Sequence, residues 1–308
     1  MRRKILVVAL VIILVLALVG CIPTVPNVDE EEEPIAYRAF CVGVGDYIYG
    51  GDDNDLPGPP YDVDGMIQIF NRCRFGPLNT GFSTINYLKD WQATKSNILQ
   101  GIASTFSGAD NNDVSYFYYS GHGTRLGSTS YLCPADVTSY SLDSNIGVDE
   151  LENALSAIPG TKVVFLDTCH SGGFIGKGMR EITISQEELE SFNDEVINVF
   201  SQSQSKSFLT TNQYKVLTSC ISNQGSWGMI PIFGNPYGVF TKSLCTGCGC
   251  YGNYPADTDL DTKVSLQEAY IYVKNRVEYY SGYSPSPQDV QVYPNNSNYT
   301  IVEYQIGY

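Results

Sequence analysis

TKVVFLDTCHSGGF, residues 161–174, is the stretch that decides how this 308-residue chain folds. It opens with Val163, Val164, Phe165 and Leu166, an unbroken apolar run of the kind that forms a strand buried on both faces. The run stops abruptly at Asp-Thr-Cys-His-Ser-Gly-Gly. A buried strand ending in a small polar cluster delivers its side chains to the carboxyl edge of a sheet, where open α/β folds place their chemistry. Cys169 stands at that edge, and Gly172 and Gly173 leave room for a substrate backbone. Upstream, residues 114–119 (VSYFYY) repeat the design and end in Ser120-Gly-His-Gly123. Two strands therefore each terminate in one half of a Cys/His pair. Side chains alternate along a strand, so Asp167 shares a side with Cys169, whereas His170 faces the other way and reads as a turn residue rather than the working base.

A free thiol near pKa 8.5 is only a few per cent thiolate at neutral pH, and a nearby imidazole makes that fraction useful. The two motifs, SGHG at 120–123 and DTCHSGG at 167–173, lie about forty-five residues apart. In that order and spacing they resemble the caspase–metacaspase clan of cysteine peptidases, its bacterial metacaspase-like branch above all. The resemblance implies a caspase-like three-layer α/β sandwich, with a mostly parallel sheet and helices on both faces. It implies His122 as general base, Cys169 as nucleophile, and the N–H groups of Gly123 and Cys169 as oxyanion hole. In metacaspases the acid at Asp167 lines the primary specificity pocket and selects Arg or Lys. The true caspases carry an Arg-rich pocket and a QAC-type motif, which this sequence lacks. By the same resemblance Asp46, in Gly45-Asp-Tyr47, joins the pocket or is a turn-forming Asp, and Trp227 walls the substrate loop at 222–236. Residues 176–212 stand where the clan has its interdomain linker, with Lys177 and Arg180 as self-cleavage sites or the whole as an uncut insertion. The large portion then spans about 36–175 and the small portion about 213–308. The alternative to an active endopeptidase is a catalytically silent, caspase-like binding or scaffold protein; such relatives usually lose Cys or His, and both are present here.

The first twenty residues read as an export signal: Arg2, Arg3 and Lys4 precede an apolar run over 5–19, followed by Leu18-Val-Gly-Cys21. That ending looks like a bacterial lipobox, with Cys21 lipidated; a membrane-spanning anchor is the other reading, but fifteen apolar residues are short for one. Residues 21–35, including NVDEEEEP, form an acidic tether to a peptidase domain over 36–308. This places the protein outside the cytoplasm, on the cell envelope. Loss of residues 1–20 leaves 15 basic against 33 acidic residues, a net charge of −18. Such a balance argues against nucleic acid and suits basic peptide substrates, though it also simply keeps a tethered protein soluble.

Nine cysteines are many for a cytosolic enzyme. With Cys21 given to lipid and Cys169 to catalysis, an odd number remains; Cys41 and Cys220 read as core strand residues. Cys245-x-x-Cys248-x-Cys250 has no fourth ligand at a usual zinc spacing, which leaves a local disulfide or free thiols. Periodicity predicts strands at 37–44, 84–88 and 214–219, and helices over 61–73, 148–158 and from 238. Asp62 and Asp64 fall in the first turn of the helix over 61–73. Thr94 or Ser96 caps another helix, and 299–304 reads as a closing edge strand. Finally, Asp257, Asp259, Asp261 and Glu268 occupy positions 1, 3, 5 and 12 of an EF-hand-like calcium loop, with Thr262 where glycine normally permits the sharp turn. A capped, solvated turn is the competing reading. The chemistry itself needs no cofactor.

Overall fold

Hydrophobic alternation builds the centre of the protein. In strand β1 (Tyr37–Gly43), Phe40 and Val42 face one side and Ala39 and Cys41 the other, all buried. In β6 (Thr161–His170), Val164 and Leu166 face the first side, and Val163 and Phe165 the second. A strand apolar on both faces needs a layer over each, and helices supply both. The computed structural model describes residues 34–51, 55–126, 129–138, 141–170, 186–206, 213–221, 228–229, 235–281 and 288–305, with Cys169 and His170 described by their backbone. Residues 35 onward form one unit.

The main sheet also contains β2 (Phe82–Lys89), β3 (Val114–Leu126), β4 (Thr129–Leu132), β5 (Ile146–Gly147), β7 (Tyr214–Ile221) and β11 (Gln288–Tyr293). Its main path runs β11-β7-β6-β3-β1-β2, parallel except for β11, which is antiparallel to β7; off that path β4 runs antiparallel to β3 and β5 antiparallel to β4. One face is covered by α1 (Pro59–Arg72), α5 (Val239–Gly247) and α6 (Leu266–Ser281), through residues such as Met66, Phe70, Phe240, Leu244, Val273 and Val277. The other is covered by α2 (Lys95–Thr105), α3 (Val148–Ser156) and α4 (Gln186–Lys206), through Ile98, Ile102, Leu151, Leu155, Phe192 and Phe200. The expected three-layer sandwich is what forms. Each large apolar side chain taken out of water contributes roughly 1.5–3 kcal/mol.

Local signals place the ends. The Thr94 hydroxyl accepts the Asn97 N–H at 3.2 Å and starts α2, as its sequence suggests. Pro59 and Pro60 open α1 without costing a helical hydrogen bond, two residues ahead of the expected start. The tyrosine-rich β3 keeps its polar tips satisfied: Tyr116 Oη donates to the Ile301 carbonyl at 3.0 Å, and Tyr118 Oη meets Thr241 Oγ1 at 2.6 Å.

One expectation is corrected. The strand at the C-terminal end, β12 (Thr300–Glu303), does not close the main sheet; it pairs with β10 (Lys263–Ser265) in a separate two-stranded ribbon. The edge position is taken by β11, whose alternating Val290 and Val292 pack on the α1/α5/α6 side. A short ribbon of β8 (Gly228–Met229) and β9 (Tyr237–Gly238) lies just before α5.

Candidate active site

The register of β3 against β6 brings the two motifs together. Ser120 pairs with Asp167, Gly121 with Thr168, His122 with Cys169 and Gly123 with His170. Neighbouring strands lie about 5 Å apart, so the backbones of His122 and Cys169 are as close as two residues of different strands can be. Both sit at the carboxyl edge of the sheet. Past Ser120, β3 loses β1 as its partner and takes β4 instead, Gly123 pairing with Leu132.

That exchange of partners fixes the histidine. Its backbone N–H donates to Tyr47 Oη at 2.7 Å, and its carbonyl accepts the Cys133 N–H at 2.9 Å. The Tyr47 ring lies against the imidazole, centroids 4.9 Å apart and tilted by 33°. His122 is 3% exposed, held from backbone and ring at once. A trans peptide sends its carbonyl and its N–H in opposite directions. With the His122 carbonyl turned to Cys133, the Gly123 N–H is turned toward β6.

Beneath the pair lies a buried acid cluster. Asp167 Oδ2 accepts both the N–H (3.1 Å) and the hydroxyl (2.6 Å) of Thr241, in the first turn of α5. Asp62, in the first turn of α1, accepts the Ser120 hydroxyl at 2.8 Å and the Gly238 N–H at 2.9 Å. Gly238 lies between the two acids: a Cβ placed there would stand 2.4 Å from Asp167 Oδ2 and 3.1 Å from Asp62 Oδ2. Burial first, then the charge of Asp167, pushes the Asp62 carboxyl well above the usual range, against the bonds from Ser120 and Gly238 and the more distant Lys242. Burial likewise pushes Asp167 up to about 6, despite the two Thr241 bonds. Neither carboxylate has an ion-pair partner among the described residues. The cluster is a pair of buried carboxyl groups without a cation among the described residues.

Asp167 was legible in the sequence; Asp62 was read only as a helix-start acid. Its role needs α1 to lie over β3 and β6, which no local pattern announces. The turn after β1 contributes a different residue from the one expected: Asp46 is exposed, its N–H donating to Asp90 Oδ1 at 3.2 Å, whereas Tyr47 enters the site. Trp227, Lys177, Arg180 and Cys21 lie outside the described residues.

At the acidic loop, ligand oxygens of Asp257, Asp259 and Asp261 lie within 4.8 Å of one another. Thr262 adopts the left-handed backbone normally given to glycine there, at φ +71°. Glu268 departs from its expected place as a ligand. Its Oε2 accepts the N–H and hydroxyl of Ser265, both at 2.9 Å, and its Oε1 the N–H and hydroxyl of Thr258, both at 2.9 Å. The Glu268 N–H returns to Ser265 Oγ at 3.2 Å, completing a capping box on α6. Burial pulls its carboxyl up, but these four donors outweigh that and hold it below the usual value. Three acids, not four, face the loop.

Comparison with known proteins points to one family. A family model described as "Caspase domain" matches residues 38–298. Metacaspase-3 of Trypanosoma cruzi is 32% identical over 157 residues, covering 45% of this chain and 41% of its own. Metacaspase-7 of Arabidopsis thaliana is 27% identical over 165 residues, covering 48% and 38%. The chain thus spans about two-fifths of the length of these curated relatives. Among solved structures, caspase-1 from Spodoptera frugiperda superimposes with a TM-score of 0.54 at 13% identity, covering 89% of this chain and 92% of that one. A Geobacter sulfurreducens protein gives 0.50 at 18%, covering 83% and 93%. At these identities the structural likeness speaks to the fold.

Proposed function

We propose that this chain, which belongs to the caspase-domain family of cysteine peptidases, is a lipid-anchored endopeptidase that cuts after Arg or Lys. Family membership supplies the reaction class; the basic preference rests on one observation, the buried Asp62–Asp167 pair without a cation. Two carboxylates so placed are costly to ionise alone and are relieved by a positive group arriving beside them. A substrate guanidinium, with its planar fork of donors, fits that need, and a lysine ammonium fits it less fully.

In this reading His122 takes the Cys169 proton as the thiolate attacks the carbonyl carbon after the bound basic residue. The N–H groups of Gly123 and Cys169 receive the oxyanion, each such donor being worth ~3 kcal/mol. The protonated imidazole then gives its proton to the leaving amine, and water releases the acyl group. Self-cleavage at Lys177 or Arg180 belongs to the same specificity. Calcium belongs to the Asp257–Asp259–Asp261 loop, held by three carboxylates and weakly, since Glu268 is engaged elsewhere.

Hydrolysis of fluorogenic peptides ending in Arg, Lys or Asp tests the central claim, with Cys169→Ala and His122→Ala as controls. Turnover of the Arg and Lys peptides alone, lost in both variants, is expected. Equal turnover of the Asp peptide would remove the specificity reading, and activity surviving Cys169→Ala would remove the mechanism. A calcium titration by calorimetry on wild type and Asp257→Ala should differ; two flat traces end the cation reading.

A further inference from the structure

The cysteine cluster at the C-terminal end of α5 has no part in the peptidase reading. Cys245, Cys248 and Cys250 are all free and buried, but they face different surroundings. Cys248 lies toward Cys73, and burial holds its thiol far up, out of reach of ionisation. Cys245 and Cys250 face one another. Gly249, in the left-handed region at φ +95°, folds the chain back so that the Cys250 N–H donates to the Cys245 carbonyl at 3.0 Å. A bond of this span at a helix end brings the side chains at its two ends together, and the two thiols act on one another's ionisation.

We propose that Cys245 and Cys250 are a reversible dithiol–disulfide pair, closed by a hydroperoxide, on the helix that supports the pocket's acids. The two sulfurs are not equivalent. Cys250 lies beside the Cys245 thiol and near Lys242 and Arg72, and these influences outweigh burial and lower its thiol. The Gln68 amide lies 3.2 Å from its sulfur; it accepts from the thiol and, turned over, donates to the thiolate. Cys250, itself 3% exposed, is followed in the chain by the exposed Tyr251. Cys245 is lodged deeper, raised by the bond to Cys250 and by burial. Its sulfur fills the space above Gly65, where a Cβ would come within 2.6 Å.

The chemistry balances with the peroxide alone. The Cys250 thiolate attacks one peroxide oxygen, the O–O bond breaks, and a sulfenic acid and an alcohol or water form. The Cys245 sulfur, giving up its proton, then attacks the Cys250 sulfur and expels hydroxide, which leaves with that proton as water. Two thiols are oxidised by two electrons and the peroxide is reduced by two. Closure moves the Cys245 sulfur toward Cys250 and off Gly65, at the contact of α1 with α5. Asp62 lies one turn before Gly65, and Thr241, which holds Asp167, one turn before Cys245. The switch therefore sits directly behind both acids.

The inference does not depend on peptidase activity, so it is tested on Cys169→Ala as well as on wild type. After hydrogen peroxide and alkylation, trypsin should release residues 243–263 with one alkyl group, two mass units lighter than the same singly alkylated peptide with both other thiols reduced. Fragmentation should join Cys245 to Cys250 and leave Cys248 alkylated, and dithiothreitol should restore the reduced mass. In Cys245→Ser, dimedone should trap a sulfenic acid on Cys250; in Cys250→Ser the peptide should form no internal disulfide. Full alkylation of both residues after peroxide, or a bridge from either to Cys73 or Cys248, would overturn the proposal.

Discussion

Asp62 and Asp167 carry the sharpest consequences at the scale of single residues. An aspartate ordinarily titrates at 3.8, and Asp167 is pushed up to about 6 in the fold. Between those values the native chain binds more protons than the unfolded one, so this pair's contribution to stability falls as pH rises through about 6. Asp62→Asn removes one buried titratable carboxyl and lets an amide face Asp167. Its melting temperature at pH 7 should therefore exceed wild type by a few degrees. The same variant should lose about a hundredfold in kcat/KM on Arg-ended peptides, the scale for truncating one partner of a buried charge contact. Affinity of Cys169→Ala for such a peptide, followed by fluorescence anisotropy, should rise as pH climbs through about 6; a flat profile from pH 5 to 7.5 speaks against the pocket. Tyr47 acts through His122 rather than on substrate. Tyr47→Phe keeps the ring but removes the acceptor of a buried N–H, which costs about 1–3 kcal/mol. We expect kcat to drop roughly tenfold with KM little changed, and a KM effect alone would deny Tyr47 its positioning role.

At the scale of elements, helices meet the sheet closely enough to be tested by single atoms. A Cβ on Gly101 of α2 would stand 2.2 Å from Phe40 Cζ on β1. Gly→Ala in an exposed helix gains roughly 0.5–1 kcal/mol, but here overpacking should win and cost about 1–3 kcal/mol. Denaturant unfolding should show that loss in Gly101→Ala and its partial recovery when Phe40→Leu is added. Glu268 separates a cap from a ligand. Glu268→Ala should destabilise α6 by about 1–2 kcal/mol, equally in calcium and in chelator. A loss seen only with calcium present would return Glu268 to the metal. The capping box was readable as Ser265-x-x-Glu268, but the same letters also satisfied a calcium loop. Only the hydrogen bonds distinguish them, because both readings use one carboxylate at one spacing.

For the whole molecule, no helix of the described residues is long and apolar enough to cross a membrane, and the apolar run over 5–19 lies outside them. The anchor therefore rests on the lipobox reading. Cys21→Ser should move the expressed protein from the detergent phase to the aqueous phase on Triton X-114 partition, and unchanged partition would refute lipidation. The sequence by itself determined the parallel sheet and its two helical layers, and it set His122 and Cys169 near the ends of two strands. Those follow from short-range information: apolar runs set the strands, and equal lengths of parallel strand bring their ends to one edge. It did not determine which acids share a pocket, which tyrosine holds the histidine, which strand closes the sheet or which thiols touch. Asp62 and Asp167, or Cys245 and Gly65, meet only because α1 and α5 pack over one end of β3 and β6. The energy of a buried charge or a close contact depends on what surrounds it in space, and chain neighbours do not record that.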